Sequence, residues 1–284
     1  MIPTIPQSRA FKSIYAGYIT LFFIYLAAPL VVVSVFAFND SLFPSLPWNG
    51  FTLDWFFGDT APRKGLFHEE PILESIGVSV FVALMVTTLS VFVGTCNAFL
   101  FERENFPFKN VLYILMLLPL VIPGIILGIS ILVFSNTIAN AVENLIGWDW
   151  EILRPGLFLV VLGQFSFITT IATLVISARL RKFDLTLEEA AMNLGASKWH
   201  AVRTITLPYL RPAMIGAGLI AFLMSFENFN TTLMLVGSDA PLTITMFDRL
   251  REGSTPVLNA VSLFLMIVSG MLALVNVMMQ REKQ

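Results

Sequence analysis

The sequence has few charged residues and very little cysteine or histidine. Only 13% of its 284 residues are charged, against roughly 25% in a typical soluble domain. Its one cysteine, Cys96, cannot form a disulfide within the chain, and its two histidines, His68 and His200, stand far apart. No Cys/His metal spacing, nucleophile elbow or phosphate-binding glycine loop is present. We therefore expect a non-enzymatic chain that holds no cofactor or metal, with no nucleic-acid partner.

Apolar residues dominate instead. They make up 56% of the chain, and phenylalanine alone occupies 26 positions. A helix needs about 20 consecutive apolar residues to cross a bilayer, and six stretches are near or above that length. The sequence predicts an all-α integral membrane protein with one transmembrane domain over residues 1–284 and lipid around it. The spans are expected at about 14–38, 75–101, 111–134, 156–178, 212–236 and 256–279.

The distribution of lysine and arginine predicts the orientation of these spans. With the N-terminus inside, twelve of these residues fall in inside segments and five in outside segments. Loops that face the cytoplasm carry the excess of positive charge. Both termini are therefore expected in the cytoplasm, together with the long polar loop 179–211 between the fourth and fifth spans.

The third predicted span is interrupted by Pro119, Pro123, Gly124 and Gly128. Proline removes a backbone hydrogen bond inside a membrane, so neighbouring helices or a wet cavity must compensate. Transporters use broken helices of this kind beside the path of the substrate. A static kink that serves packing is the alternative, and the sequence does not decide between them.

Glu227 is the unexpected residue of the fifth predicted span. Counting from Pro212 places it roughly 22 Å along the helix, where a carboxylate costs about 2.5–3.5 kcal/mol and usually faces a pathway or a partner. Asn228 and Asn230 add polar groups, and Phe226 adds an aromatic ring. Such a site suits an organic cation. We predict that these residues line a substrate pathway; a structural hydrogen bond from Glu227 to a neighbouring helix is the alternative.

The fourth predicted span is unusually polar for a membrane helix. Its polar residues are Gln164, Ser166, Thr169, Thr170 and Thr173. Gln164 is a second candidate for the lining of a cavity. Side chains of this kind also join helices to each other through hydrogen bonds, and both interpretations remain open.

The first half of the polar loop has the signals of a short helix. Thr186 and Glu189 have the spacing of a capping box, in which each side chain bonds the backbone of the other residue. Three residues then fall on one helical face, at Leu187, Ala191 and Leu194. Ala190 and Ala191 on this helix have small side chains, which would let another protein surface approach closely.

The second half of the loop predicts another short helix. Gly195 is a suitable C-terminal stop for the first one, and Ser197 can cap the second, which Pro208 is expected to end. The loop 179–211 is thus predicted to form two short helices about a glycine bend, a rigid lever between the membrane helices and a soluble partner.

The loop also carries a spaced motif, E-A-A-x3-G-x9-I-x-L-P. It is formed by Glu189, Ala190, Ala191, Gly195, Ile205, Leu207 and Pro208. It resembles the EAA loop of permease subunits in ABC-type importers that work with a substrate-binding protein. The resemblance implies the six-span type I permease fold in a bacterial inner membrane. It also implies a second permease chain, an external binding protein, and two ATPase subunits that hold ATP and Mg and contact Glu189, Ala190, Ala191, Leu194 and Gly195.

A finer resemblance concerns the substrate. The runs Leu187–Ala196 and Thr206–Ala213 are similar to permeases of spermidine/putrescine importers of the PotC type, which pair with a PotB-like chain. Many of those permeases have paired acidic residues where this chain has Glu227 and Asn228. One carboxylate leaves a polyamine, an amino-acid-like solute and a quaternary ammonium compound as candidates. An ion-coupled transporter that works alone is a further alternative, with only this carboxylate to support it.

Overall fold

The computed structural model of the chain describes residues 8–44, 46–147, 150–253 and 255–281. Within these residues, six helices are long and apolar enough to cross a membrane, which confirms the predicted all-α class and number of spans. They are Arg9–Phe36, Glu70–Arg103, Gly124–Ile146, Leu157–Leu180, Lys198–Phe226 and Val257–Leu274.

The helices follow in chain order. They are α1 (Arg9–Phe36), α2 (Asp54–Phe57), α3 (Glu70–Arg103), α4 (Lys109–Val121), α5 (Gly124–Ile146), α6 (Leu157–Leu180), α7 (Thr186–Asn193), α8 (Lys198–Ala201), α9 (Leu207–Phe226), α10 (Asn230–Leu235), α11 (Leu242–Glu252) and α12 (Val257–Arg281). Short 3₁₀ turns occupy Leu66–His68 and Glu151–Leu153, and a two-stranded antiparallel hairpin pairs β1 (Asp59–Thr60) with β2 (Arg63–Lys64).

One compact unit contains the chain up to Glu70 together with Arg249–Val268. Its first element, α1, begins where the Ser8 side chain accepts a hydrogen bond from the Phe11 backbone N–H, and none of its residues is buried within the described chain. The segment that follows is held by polar contacts. Arg63 pairs with Asp40 at 2.5 Å and with Asp54 at 3.1 Å.

The other unit contains Pro71–Asp248 and the chain from Ser269 onward. Helix α6 lies at its centre. Of its most apolar 18-residue stretch, 61% is buried, which is the highest share among the six spans. Small residues let the helices approach: a Cβ added at Gly94 of α3 would lie 3.0 Å from the Ala172 Cβ of α6. One apolar cluster packs Val82, Val86, Leu159, Val160, Ile168, Ala221 and Leu235, and a second packs Ala98, Ala172, Ile176, Leu180, Phe183, Leu210 and Ala217.

The third span differs from the prediction of one segment over 111–134. It is two helices, because α4 ends at Val121 and α5 begins at Gly124 and continues to Ile146. Ile122 between them is extended, with φ −73° and ψ 128°, as the residue before a proline prefers. Pro123 therefore separates the helices, whereas Pro119 is accommodated inside α4.

The fifth span also differs from its predicted limits of 212–236. Helix α8, a π-helical turn at Val202–Thr206 and α9 follow one another without interruption, so Pro208 does not end the second loop helix. Pro208 lies just after the π-helical turn, in which the Leu207 N–H donates to the Val202 carbonyl five residues back, so the proline is accommodated within a continuous helical stretch. The span ends earlier than predicted, at Phe226, and the short helix α10 follows from Asn230. The remaining predicted limits shift by one to five residues, to the bounds given above for α1, α3, α6 and α12.

Candidate functional site

The loop between α6 and α9 contains the two predicted helices, but its first cap differs from the prediction. The Asp184 carboxylate accepts hydrogen bonds from the Thr186 backbone N–H at 3.0 Å and from the Thr186 hydroxyl at 2.8 Å. Asp184 therefore stabilises the first turn of α7, which begins at Thr186, and the predicted capping box of Thr186 and Glu189 is wrong. An aspartate two residues upstream satisfies the same backbone donor through a shorter local turn.

The predicted glycine bend is confirmed. Gly195 has φ +93°, a left-handed conformation that favours glycine. Its N–H donates to the Met192 carbonyl at 2.9 Å, and the Ala196 N–H donates to the Ala191 carbonyl at 3.0 Å. This pair of bonds is the Schellman motif, which satisfies carbonyl groups at a helix end. Ser197 then caps α8 as predicted, since its hydroxyl accepts from the His200 N–H at 3.2 Å.

The predicted coupling residues of this loop lie on its surface. Glu189, Ala190 and Gly195 are exposed, Ala191 is half-buried, and Leu194 is 91% exposed. Leu187 and Leu194 of the predicted face are therefore exposed, and Ala191 is partly covered. Met192 and Trp199 are further exposed apolar residues of this loop, and exposed apolar residues rimmed by polar ones often mark protein interaction sites.

Glu188, which the sequence reasoning missed, is the buried residue of α7. Its carboxylate accepts two hydrogen bonds from the guanidinium of Arg103 at the end of α3, at 3.1 and 3.2 Å. It also accepts a hydrogen bond from the Thr206 hydroxyl in the π-helical turn. The only local signal is the doubled acid Glu188–Glu189, and nothing near it in sequence says which of the two turns inward.

A second ion pair at the same end of these helices is more open to solvent. The Arg181 Nε donates to the Glu102 carboxylate at 2.8 Å, and the Arg181 side chain is 60% exposed. The hydrogen bond and charge of Glu102 raise the pKa of Arg181 further above its ordinary value, so the guanidinium stays charged. An exposed pair of this kind contributes little to stability.

The breaks in the third and fifth spans lie side by side. Gly124 and Gly128 of α5 pack against α10: a Cβ on Gly124 would lie 3.2 Å from the Asn230 Cβ, and one on Gly128 would lie 2.9 Å from the Met234 Cβ. Between the breaks is a cleft of about 270 Å³. Its lining consists of Pro119, Leu120, Ile122, Gly124, Leu127, Phe167, Met224, Asn228, Asn230 and Thr231.

Two of the predicted pathway residues, Asn228 and Asn230, therefore line this cleft. The Asn228 side-chain oxygen accepts from the Thr232 hydroxyl at 3.0 Å, and its amide N–H₂ group has no hydrogen-bond partner among the residues that the structure describes. The Thr231 hydroxyl is buried at the cleft and has no hydrogen-bond partner among the described residues. A ligand in the cleft would meet polar groups at a point where two backbones are interrupted.

The sequence predicted that Glu227 lies inside a helix. The structure instead places it at the end of α9, at the edge of this region. It is the C-terminal cap residue of α9, and its backbone N–H donates to the Leu223 carbonyl at 3.1 Å. Its side chain is exposed and makes no hydrogen bond or ion pair with the part of the chain that the structure describes. The alternative of a structural hydrogen bond within the chain is not realised there. Phe226 beside it is half-buried and stacks on Phe222, with ring centroids 6.0 Å apart.

Gln164 lies below the surface of the cleft and does not line it. Its side chain is 1% exposed. Its amide nitrogen donates to the Thr232 hydroxyl at 2.9 Å, and its oxygen accepts a hydrogen bond from Ser225. Gln164 thus joins α6 to the end of α9 and to α10, which favours the interpretation that it connects helices.

The comparisons with known proteins agree with this architecture. The model of the family described as "Binding-protein-dependent transport system inner membrane component" matches residues 87–281. The putrescine transport system permease protein PotI of Escherichia coli (strain K12) is 30% identical over 266 residues, which cover 92% of this chain and 89% of PotI. The spermidine/putrescine permease PotC of the same strain is 24% identical over 268 residues, 94% of each chain.

Solved structures give the same fold at lower sequence identity. A chain of a bacterial ABC transporter involved in the import of the acidic polysaccharide alginate superposes with a TM-score of 0.71 at 18% identity, over 97% of this chain and 96% of that one. A structure of the alginate transporter in complex with a pentasaccharide-bound periplasmic protein gives a TM-score of 0.73 at 17% identity, over 96% and 94% of the chains. Because the family model covers most of the chain and PotI matches nearly all of it, the chain belongs to the family of binding-protein-dependent transport system inner membrane components.

Proposed function

We propose that this chain is a permease subunit that imports a small organic cation, a polyamine such as putrescine or spermidine, by alternating access driven by ATP. The relatives named for putrescine and spermidine/putrescine transport support this substrate class. The chain pairs with a related PotB-like permease, receives substrate from an external binding protein, and has both termini in the cytoplasm. ATP and Mg bind to two separate ATPase subunits.

The observation that carries the proposal is the exposed face of α7. Glu189, Ala190 and Leu194 are held outward by a helix whose two ends are capped. Small residues beside a carboxylate permit close contact with a groove on a soluble subunit, and a polar contact at Glu189 would orient it. Closure of the ATPases would move this face, and with it the helices on either side of the loop.

The cleft between the broken helices is the proposed substrate path within this chain. Asn228, Asn230 and the unpartnered Thr231 hydroxyl offer polar groups, and Glu227 offers a negative charge at the edge. An ammonium group would be attracted to the carboxylate and to the face of an aromatic ring such as Phe226. Because Asn228 stands beside a single carboxylate, an amino-acid-like solute or a quaternary ammonium compound is the second candidate.

The docking part of the proposal is tested with Glu189→Lys. The chain is co-expressed with its proposed permease, ATPase and binding-protein partners, and the complex is purified through a tag on this chain. We expect ATPase co-purification to fall at least about tenfold, because a like charge placed at an interface costs several kcal/mol. Glu74→Lys, which changes an exposed carboxylate at the start of α3, the end of that helix away from the coupling loop, is the matched control and should retain the ATPase. Unchanged co-purification of Glu189→Lys would refute docking through this face.

The substrate part is tested separately. The complete complex is placed in proteoliposomes with ATP on the ATPase side, and uptake of radiolabelled putrescine is measured with the binding protein outside. Unlabelled spermidine, glycine betaine and glutamate are added as competitors. We expect competition by spermidine alone. Uptake of radiolabelled glycine betaine is measured in the same way. If betaine is taken up and putrescine is not, the quaternary ammonium compound replaces the polyamine as the proposed substrate, and the docking result is unaffected.

A further inference from the structure

We propose that Arg103, Glu188 and Thr206 form a clasp that makes the coupling helix α7 move together with the end of α3 and the start of the fifth span. In this role Arg103 and Glu188 are positioning residues that transmit movement and touch neither substrate nor ATP. The inference rests on the proposed function, because it gives α7 a partner that pulls on it.

The three residues come from elements that are far apart in the chain. Arg103 and Glu188 are separated by 85 residues, and Glu188 and Thr206 by 18. The Arg103 guanidinium reaches both carboxylate oxygens, at 3.1 and 3.2 Å. Its Cζ atom also lies 5.4 Å from the ring centroid of Phe183, in the link that leads into α7. One carboxylate thus connects α7 to the second span on one side and to the fifth span on the other.

The burial of the clasp separates it from an ordinary surface ion pair. The Glu188 side chain is 8% exposed and the Arg103 side chain 19%. Burying two charges costs desolvation energy that the pairing roughly repays, so the pair is a weak source of stability. A two-pronged arginine–carboxylate contact does fix the relative orientation of its partners. The arrangement is therefore better suited to holding helices in register than to stabilising the fold.

The two adjacent acidic residues of α7 point to different sides of the helix and are proposed to have different roles. Glu188 is buried and bonded to Arg103, whereas Glu189 is exposed on the face proposed to contact the ATPase. Movement of the outer face would pass through Glu188 to Thr206 in the π-helical turn. From there α9 continues without a break to Phe226, at the edge of the broken-helix cleft. The stretch from Lys198 to Phe226 is roughly 43 Å long, enough to connect the loop to the cleft.

The experiment uses Glu188→Gln in the complete complex with its permease, ATPase and binding-protein partners. The variant keeps the shape of the side chain and removes its charge. We expect ATPase co-purification to stay within about twofold of the unchanged protein, and ATP-driven putrescine uptake to fall roughly 2- to 30-fold, the usual range for a lost coupling contact. Glu102→Gln is the matched control, because it breaks the exposed pair with Arg181 on the same helices without touching α7. It should leave both readouts unchanged.

A second measurement tests directly whether the clasp holds α7 in place, without a transport assay. Hydrogen–deuterium exchange of the α7 amides at residues 189–193 should rise by about tenfold in Glu188→Gln and stay constant in Glu102→Gln, since local opening becomes easier when a tether is lost. The double variant Arg103→Glu with Glu188→Arg exchanges the two charges and should recover at least half of the putrescine uptake that Glu188→Gln loses. Unchanged uptake and exchange in Glu188→Gln, with ATPase still bound, would overturn the clasp and leave the proposed function standing. Loss of the ATPase from Glu188→Gln to the extent seen with Glu189→Lys would also overturn it, because Glu188 would then act in docking.

Discussion

The coupling loop and the broken-helix cleft are built on opposite principles. The loop is exposed, and each of its helices is begun or ended by bonds between residues a few positions apart, such as Ser197 with His200 and Gly195 with Met192. The cleft is lined by three separate parts of the chain, at 119–127, 167 and 224–231, and its shape depends on how closely α5 approaches α10. Substitutions at the capping residues of the loop should therefore have local effects on its folding, whereas substitutions at the cleft should disturb several helices at once.

Gly128→Leu should give the largest loss of stability. Any side chain at this position meets the Met234 Cβ at 2.9 Å and the Thr231 carbonyl oxygen at 3.0 Å, so α5 and α10 would have to separate. Overpacking of this kind costs about 1–3 kcal/mol or more. The midpoint temperature of thermal unfolding of the purified complex should therefore be clearly lower than that of the unchanged protein. Gly77→Leu on α3 is the control, because a Cβ there meets no atom within 4 Å; equal shifts for the two variants would contradict the close approach of α5 and α10.

Gln164→Leu should have the next largest effect. It leaves the Thr232 hydroxyl and the Ser225 hydroxyl without their shared partner, and an unpaired buried polar group costs about 1–3 kcal/mol. Unfolding by detergent titration should show reduced stability, while uptake per folded complex stays near normal. Leu162→Ala, a truncation on an exposed face of the same helix, provides the comparison. Normal stability together with reduced uptake would instead place Gln164 in the pathway.

The same contrast explains how much of the molecule the sequence could predict. Gly195 and Ser197 were found because their effects act on neighbouring residues, and the six spans were found because hydrophobicity accumulates over each stretch. Glu188 was missed because its partner Arg103 is 85 residues away. The break at Glu227 was missed for a related reason: Ser225–Asn230 contains no proline or glycine, and tertiary contacts of Gln164 and Thr232 hold the chain there.

Gly195→Ala tests whether the loop is as local as this comparison claims. The position has open space around it, so the only penalty is the left-handed backbone at φ +93°, roughly 1–2 kcal/mol for a residue with a Cβ. Gly195→Asn should cost less, because asparagine visits this conformation more readily. Hydrogen exchange of α7 should increase more for alanine than for asparagine, with the amides of α5 and α10 unaffected. Exchange that increases in α5 or α10 as well would show that the loop is coupled to the cleft even at rest.

Glu227→Gln should have the smallest effect on stability and still alter transport. Its side chain is exposed and has no partner among the described residues, so the free energy of unfolding should stay within about 0.5 kcal/mol. If the carboxylate attracts a cation on its way through the cleft, removing its charge should raise the KM for putrescine uptake, by about tenfold for each 1.4 kcal/mol of lost attraction. Glu143→Gln removes another partly exposed carboxylate, paired with Arg154, and should leave KM unchanged. A KM that is also unchanged in Glu227→Gln would remove this residue from the pathway and leave Asn228 and Asn230, which line the cleft itself, to carry selection within this chain.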